Sequence, residues 1–248
     1  MNNVKKRSLV TVLATTALLT ACSSAENVNQ VEQANNKEQS DSRTVVADAQ
    51  DRAVRITADS SSTEQLLWAY IYRQVLRESG REAHVLGDDA VSTADRWEQL
   101  QTGKADFMIT CTGKFVEDTS PVLAKELASQ QDEDEQRDPN ATDIHEHLHR
   151  EVMGLLPVHI VTTNPSSAEG CPDAELDLPQ DFTPLFSSRL FDREEFGAIE
   201  GVTRLIDKRA LEELEDKLAD GLSAEDAVGQ WASVNVTGES LDSVSDEA

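Results

Sequence analysis

Between Ala53 and Ala58 the chain alternates apolar and polar positions, AVRITA, and then gives way to the polar run DSSST. EQLLWAYIYRQVLRESG follows, with apolar residues three and four apart and a closing Gly80. These features predict strand, loop and helix. EAHVLG reads as a second short strand, TADRWEQLQTG as a second helix closed by Gly103, and ADFMIT as a third strand. Strands that alternate with helices predict a parallel sheet with crossover connections. After Gly113 the pattern loosens. SPVLAKELAS reads as helix, QQDEDEQRDPN as a charged loop, DIHEHLHREVMGL as helix and LPVHIVTT as strand. NPSSAEGCPDAELDLPQD is a loop rich in turn formers, and FTPLFSSRL is one more strand. DREEFGAIEGVTRLI, DKRALEELEDKLADG and LSAEDAVGQWASV give two or three helices. Ser223 caps the last of them with Asp226 three residues on, a shorter partner than the usual Glu.

The ends of the chain have a different character. Lys5, Lys6 and Arg7 precede LVTVLATTALLTA, an uncharged run too short to span a bilayer as a permanent helix. This is the layout of a secretory signal. Leu19, Thr20, Ala21 and Cys22 resemble the bacterial lipobox, which implies that Cys22 is acylated and becomes the first mature residue. Residues 1–22 are therefore expected to be a lipoprotein signal peptide. Residues 23–50 are polar, without an aromatic residue or a sustained apolar period, and are expected to be a disordered tether. Residues 236–248 are expected to be a disordered acidic tail. One α/β domain of about 185 residues, 51–235, lies between them. No internal repeat is visible.

The charge balance narrows the partners. The whole chain carries a formal −25; residues 1–22 hold three basic and no acidic residues, so the remainder carries −28. Nucleic acid is excluded as a natural partner. Anionic head groups would repel such a surface, so the membrane must be reached through the lipid on Cys22, at its extracytoplasmic face. A cationic ligand suits the charge, although acidity mainly serves solubility.

Thr63, Glu64 and Gln65 open a helix after a Ser-rich loop, and RWEQLQTGKADFMITCTG follows a second strand. Together they resemble the first lobe of the glycine betaine, choline and osmoprotectant binding proteins of ABC importers. FTPLF through AEDAVGQWA is similar to that family's closing segment. The resemblance implies a type 2 periplasmic-binding fold, here a single α/β lobe with a mostly parallel sheet flanked by helices. It also implies a non-enzymatic role with no cofactor, a small solute of quaternary ammonium type and an ABC transporter permease as partner.

Two departures accompany it. Thr110 and Cys111 stand where the family places a Glu and an aromatic residue, and a Cys offers no ring face to an ammonium. The connection from LPVHIVTT to FTPLF is only 18 residues long, too short for the family's second lobe. A second wall around a ligand would have to come from a dimer or a partner protein. The same chain therefore also reads as a degenerate lobe kept as an interaction module of the cell envelope.

If a solute is bound, the rim after strands one and three is where parallel sheets place it. The candidate residues are Ser60, Ser61, Thr63, Glu64, Thr110, Cys111 and Thr112. The helix N-terminus at Thr63 would suit a carboxylate such as that of betaine, and helix capping explains the same hydroxyls. Cys111 and Cys171 both fall at this rim, in an exported chain where disulfides persist. They are either a disulfide that pins the shortened connection or two isolated thiols. His145 and His149 share a helix face with Asp143 and Glu146 nearby, a spacing that can hold zinc. The order lacks the HExxH pattern, and no metal is assigned. No nucleophile elbow, phosphate loop or paired-carboxylate motif stands out from the acidic background.

Overall fold

The central strands are buried along almost their whole length, and their side chains alternate between two cores, one on each face of the sheet. The computed structural model describes residues 52–87, 92–137 and 143–235. Cys22, the segment 23–50 and the tail 236–248, with the expectations attached to them, lie outside the described residues. The five strands among the described residues are β1 (Val54–Thr57), β2 (Ala83–Val85), β3 (Phe107–Cys111), β4 (Ile160–Thr162) and β5 (Phe182–Ser187). They form one sheet in the order β2-β1-β3-β5-β4. β1 pairs in parallel with β2 and β3, whereas β5 is antiparallel to both β3 and β4. β4 therefore runs with β1, β2 and β3, and β5 alone is reversed. The sheet is mostly parallel, as the alternation of strands and helices predicts.

Successive β3 residues face opposite sides of the sheet. Phe107, Ile109 and Cys111 join Val54, Ile56 and Phe186 in one core, and Met108 joins Leu185 and Ile160 in the other. Helices α1 (Thr63–Glu78), α6 (Arg193–Leu205), α7 (Lys208–Ala219) and α8 (Ala224–Asn235) cover the first face with Trp68, Ile199, Leu214 and Trp231. The second is covered by α2 (Thr93–Gln101), α3 (Thr112–Thr119), α4 (Pro121–Arg137) and α5 (Ile144–Leu155), through Leu100, Phe115, Leu127 and Val152. The result is a three-layer α/β/α lobe, and all its described residues lie in one compact unit, Thr44–Ala248.

Local chemistry sets the helix starts. Ser62, Ser92, Asp143 and Asp207 each accept a first-turn amide, and Asp192 with Glu195 closes a full capping box. Ser223 accepts the Asp226 amide at 3.1 Å while its hydroxyl donates to the Asp226 carboxylate at 2.6 Å.

Three elements differ from the sequence expectation. α3 begins directly on the last residue of β3, where a loose segment was expected. α4 continues through QQDEDEQR to Arg137 instead of ending in a charged loop; its Gln and Glu residues are good helix formers, and the first breaker is Pro139. β4 begins only at Ile160, because the Ile160 amide turns back to the Pro157 carbonyl at 2.9 Å and leaves Val158 fully in solvent. No helix among the described residues is long and apolar enough to cross a membrane.

Candidate functional site

β1 and β3 end, and β5 begins, at one rim of the sheet. The turn from β1 into α1 is ordered by its own side chains. The Asp59 carboxylate accepts the Ser61 amide at 2.9 Å and the Ser61 hydroxyl at 2.6 Å, and the Asp59 amide donates to Gln65 Oε1 at 3.1 Å. Ser62 accepts the Gln65 amide at 3.2 Å and donates its hydroxyl to Glu64 at 2.9 Å.

Opposite this turn stands the connection between β4 and β5, held by a disulfide between Cys111 and Cys171, whose Cα atoms are 6.2 Å apart. Gln65 Nε2 donates to Cys171 Sγ at 3.5 Å, so the connection rests against the first turn of α1. Between the two lies a pocket of about 510 Å³ lined by Asp59, Ser61, Ser62, Thr63, Glu64, Gln65, Cys171, Pro172, Asp173 and Glu215. Four of these are carboxylates. No Lys, Arg or His lines the pocket among the described residues. Burial pushes the Glu215 carboxyl above its ordinary value, and repulsion from Glu64, Glu212 and Asp216 adds to the rise. Arg96 stands 3.6 Å from Asp59 and Lys114 acts on Asp173, so the uncompensated negative charge of the pocket rests mainly on Glu64 and Glu215, and it favours a cation over an anion. A betaine carboxylate at the α1 N-terminus, one of the expectations from sequence, would meet Glu64 there.

The other half of the rim is closed. At the N-terminus of α3 the Thr112 amide donates to the Asp181 carbonyl at 2.9 Å, the Gly113 amide to the Pro179 carbonyl at 3.0 Å and the Lys114 amide to Gln180 Oε1 at 2.9 Å. The Thr112 hydroxyl also donates to the Pro179 carbonyl, at 2.9 Å. Thr110, Cys111 and Thr112 are at most 1% exposed. Of these three candidates for ligand contact, Cys111 is bonded to Cys171, Thr112 is held by the Pro179 and Asp181 carbonyls, and Thr110 is buried opposite Thr183. Ser61, Thr63 and Glu64 do line the pocket, and Ser60 is exposed beside it. Asp173 and Glu215 complete it from positions that sequence reasoning passed over.

The aromatic residues serve the core. Trp68 stacks on Tyr72 with centroids 5.4 Å apart and tilts against Phe182 at 5.6 Å, and both Trp68 and Tyr72 are buried. Tyr70 lies under the Arg73 guanidinium, and Trp97 meets the Phe115 ring edge-on. Among the described residues no aromatic ring lines the rim pocket.

The histidines of α5 separate. Asp143 caps the helix by accepting the His145 amide at 3.0 Å, and the His145 ring turns to the loop, with Nδ1 2.7 Å from Asp181 Oδ2. Burial pulls the His145 pKa down, but the Asp181 hydrogen bond and the charges of Asp181, Asp143 and Glu169 outweigh it and leave it raised. Burial raises Asp181, His145 opposes the rise, and Glu169 and Asp143 reinforce it. His147 pairs with Glu151 at 3.4 Å. His149 is buried, which lowers its pKa. His145 and His149 therefore form no joint ligand pair, although their spacing on one helix suggests it.

No family model matches the sequence, and no curated protein matches it. Solved structures do match. Apo YehZ of Escherichia coli superposes with a TM-score of 0.50 at 12% identity, covering 73% of this chain and 97% of that one. A TRAP periplasmic solute-binding protein of Pseudomonas putida F1, with bound D-glucuronate, gives 0.43 at 9% identity over 73% of this chain and 85% of its own. Lactococcal OpuAC, in its closed form with glycine betaine, gives 0.40 at 10% identity over 73% and 95%. At such identities the likeness is one of fold, and that fold is the lobe of the periplasmic solute-binding proteins.

Proposed function

We propose that this chain is a lipid-anchored solute-binding protein of the importer type, whose rim pocket takes a small cation of the quaternary ammonium class. The observation that carries the reading is the pocket itself: Asp59, Glu64, Asp173 and Glu215 surround about 510 Å³ at the sheet rim, with no basic residue among its lining. Choline fits this potential better than glycine betaine or carnitine, whose carboxylates would face Glu64 and Glu215. The missing ring faces lower the affinity expected for any methylated ammonium. The fold supports a binding role over an enzymatic one, and a transporter permease is the natural recipient of the solute. The signal-like start and Cys22 support attachment at the extracytoplasmic face of the cell membrane through acyl chains.

Isothermal titration of the purified chain with choline, glycine betaine, carnitine and a primary diamine tests the pocket. Heat with choline or the diamine and none with the zwitterions is expected; preferential binding of glycine betaine would overturn the assignment. Replacing Cys22 by Ala should move the protein from membranes to the soluble fraction.

The short connection between β4 and β5 favours a second reading, an envelope interaction module. Its described residues form only an isolated bridge, Glu169 with Asp181, and no second lobe. Copurification from detergent-solubilised membranes separates the two, since a transporter partner supports import and its absence supports the module.

A further inference from the structure

At a second concavity, which shares Cys171 and Pro172 with the rim pocket, three metal-ligating side chains converge. His145, in the first turn of α5, Glu169 and Asp181 each offer one ligand atom, and these atoms lie within 4.8 Å of one another. We infer that His145, Glu169 and Asp181 form a binding site for one divalent transition metal ion of the zinc class.

The backbone beneath the donors is fixed before any ion arrives. Glu169 and Asp181 face each other across an antiparallel bridge. Hydrogen bonds flank that bridge on both sides: the Gly170 amide donates to the Gln180 carbonyl at 2.9 Å, and the Phe182 amide to the Ala168 carbonyl at 3.1 Å. The disulfide at Cys171 and the Thr112 amide on the Asp181 carbonyl tie the same loop to β3 and α3. His145 is placed independently, by the Asp143 cap at the start of α5. A tetrahedral ion with bonds near 2.0 Å needs donors about 3.3 Å apart, so the His145–Asp181 pair, now at 2.7 Å, opens slightly and the wider separations, up to 4.8 Å, close in.

The donor set selects the ion. One imidazole with two carboxylates is a borderline nitrogen and oxygen set, which suits zinc, manganese or cobalt and neither an all-oxygen calcium cage nor a thiolate site. Three protein donors leave a fourth position open. His145 and Glu169 also line a concavity of about 440 Å³ with Gly170, Asp177 and Gln180, which leaves room for a water or small ligand beside them. The carboxylate of Asp181 is buried while His145 and Glu169 are exposed, so an ion can enter from solvent and seat against the buried donor. Asp143 adds a nearby negative charge that a divalent ion would offset.

The experiment uses the full chain, stripped with a chelator and titrated with zinc chloride, followed by calorimetry and by thermal unfolding. One ion per chain and a raised melting temperature are expected. Glu169→Gln, at an exposed position that leaves the fold intact, should weaken zinc by at least about tenfold, as should His145→Ala. His147→Gln, one residue-pair along the same helix, should leave the affinity unchanged. Absence of binding overturns the assignment; so does binding that survives Glu169→Gln, or that is lost with His147→Gln. Choline titration of the Glu169→Gln variant should match the wild type, which keeps this site distinct from the rim pocket.

Discussion

Cys111, the last residue of β3, is bonded to Cys171, which stands at φ +53° in the middle of the β4–β5 connection. The bond closes a loop of 60 residues and holds the wall of the rim pocket against α1. In the chain-entropy account such a closure contributes about 4 kcal/mol. The double variant Cys111→Ala, Cys171→Ala, or reduction of the wild type, should therefore lower the melting temperature by roughly 10 °C. Melting with and without reductant checks it. An unchanged midpoint under full reduction would show that the loop's hydrogen bonds hold it without the bond.

Gly113 of α3 packs tightly against that loop. A Cβ there would meet the Pro179 carbonyl oxygen at 2.7 Å and press on the Gln180 amide as well. Backbone cannot step aside as a flexible side chain can. Gly113→Ala should cost about 1–3 kcal/mol by overpacking, read as a lower urea midpoint, whereas alanine at the open Gly154 should leave the midpoint almost unmoved.

Much of this fold is legible in the apolar periods, and the limits of that reading are physical. Period two and period three-to-four marked β1, α1, β2, α2 and β3 because each buries one face or stripe. The reversal of β5 leaves no trace in a pattern that is the same for either strand direction. α3 was hidden because TGKFVEDT places only Phe115 and Val116 in the core and follows β3 without a linker. In the site, Ser61, Thr63 and Glu64 were accessible to sequence reasoning because one local turn positions them. Asp173 and Glu215 were not, since nothing local distinguishes two acids among 47. The burial of Thr110 and Thr112 is equally invisible locally: Thr183 opposite Thr110, and Pro179 bonded to Thr112 67 positions further on, arrive only through the long-range pairing of β3 with β5.

Asp106 ties β3 to β1 and gives the fold a defined acid response. Its carboxylate accepts from Arg55 Nε at 2.8 Å, from the Arg55 amide at 3.0 Å and from Arg52 at 2.6 Å, while its own side chain is almost fully buried. Burial alone would push this carboxyl up, but the Arg55 hydrogen bonds and the two guanidinium charges outweigh it and hold the carboxyl below its ordinary value. A carboxyl with a lowered folded pKa stabilises above its unfolded value, about 3.9, and that contribution is lost as pH falls through the folded one. Both arginines reach solvent, so screening trims the gain. Asp106→Asn should cost about 1–2 kcal/mol at pH 7, and the difference from wild type should shrink progressively as the pH falls below the ordinary carboxylate value of about 3.9. Urea titrations of both proteins at pH 7 and at a series of acid pH values measure both.

The pocket's potential can be dissected one charge at a time. Glu64 and Asp173 stand on opposite walls, one in the first turn of α1 and the other two residues after Cys171. At the effective dielectric of a partly exposed site, one carboxylate a few ångströms from a cation is worth 1–2 kcal/mol, about tenfold in affinity. Glu64→Gln and Asp173→Asn should each weaken choline or diamine binding by about that factor, with a steeper salt dependence in wild type than in either variant. Trp68→Phe supplies the contrast. Its ring is packed between Tyr72 and Phe182 and reaches no solute, so it should lower stability and leave affinity unchanged. Loss of binding in Trp68→Phe with both carboxylate variants intact would mean that an aromatic cage, and not the acidic rim, recognises the cation.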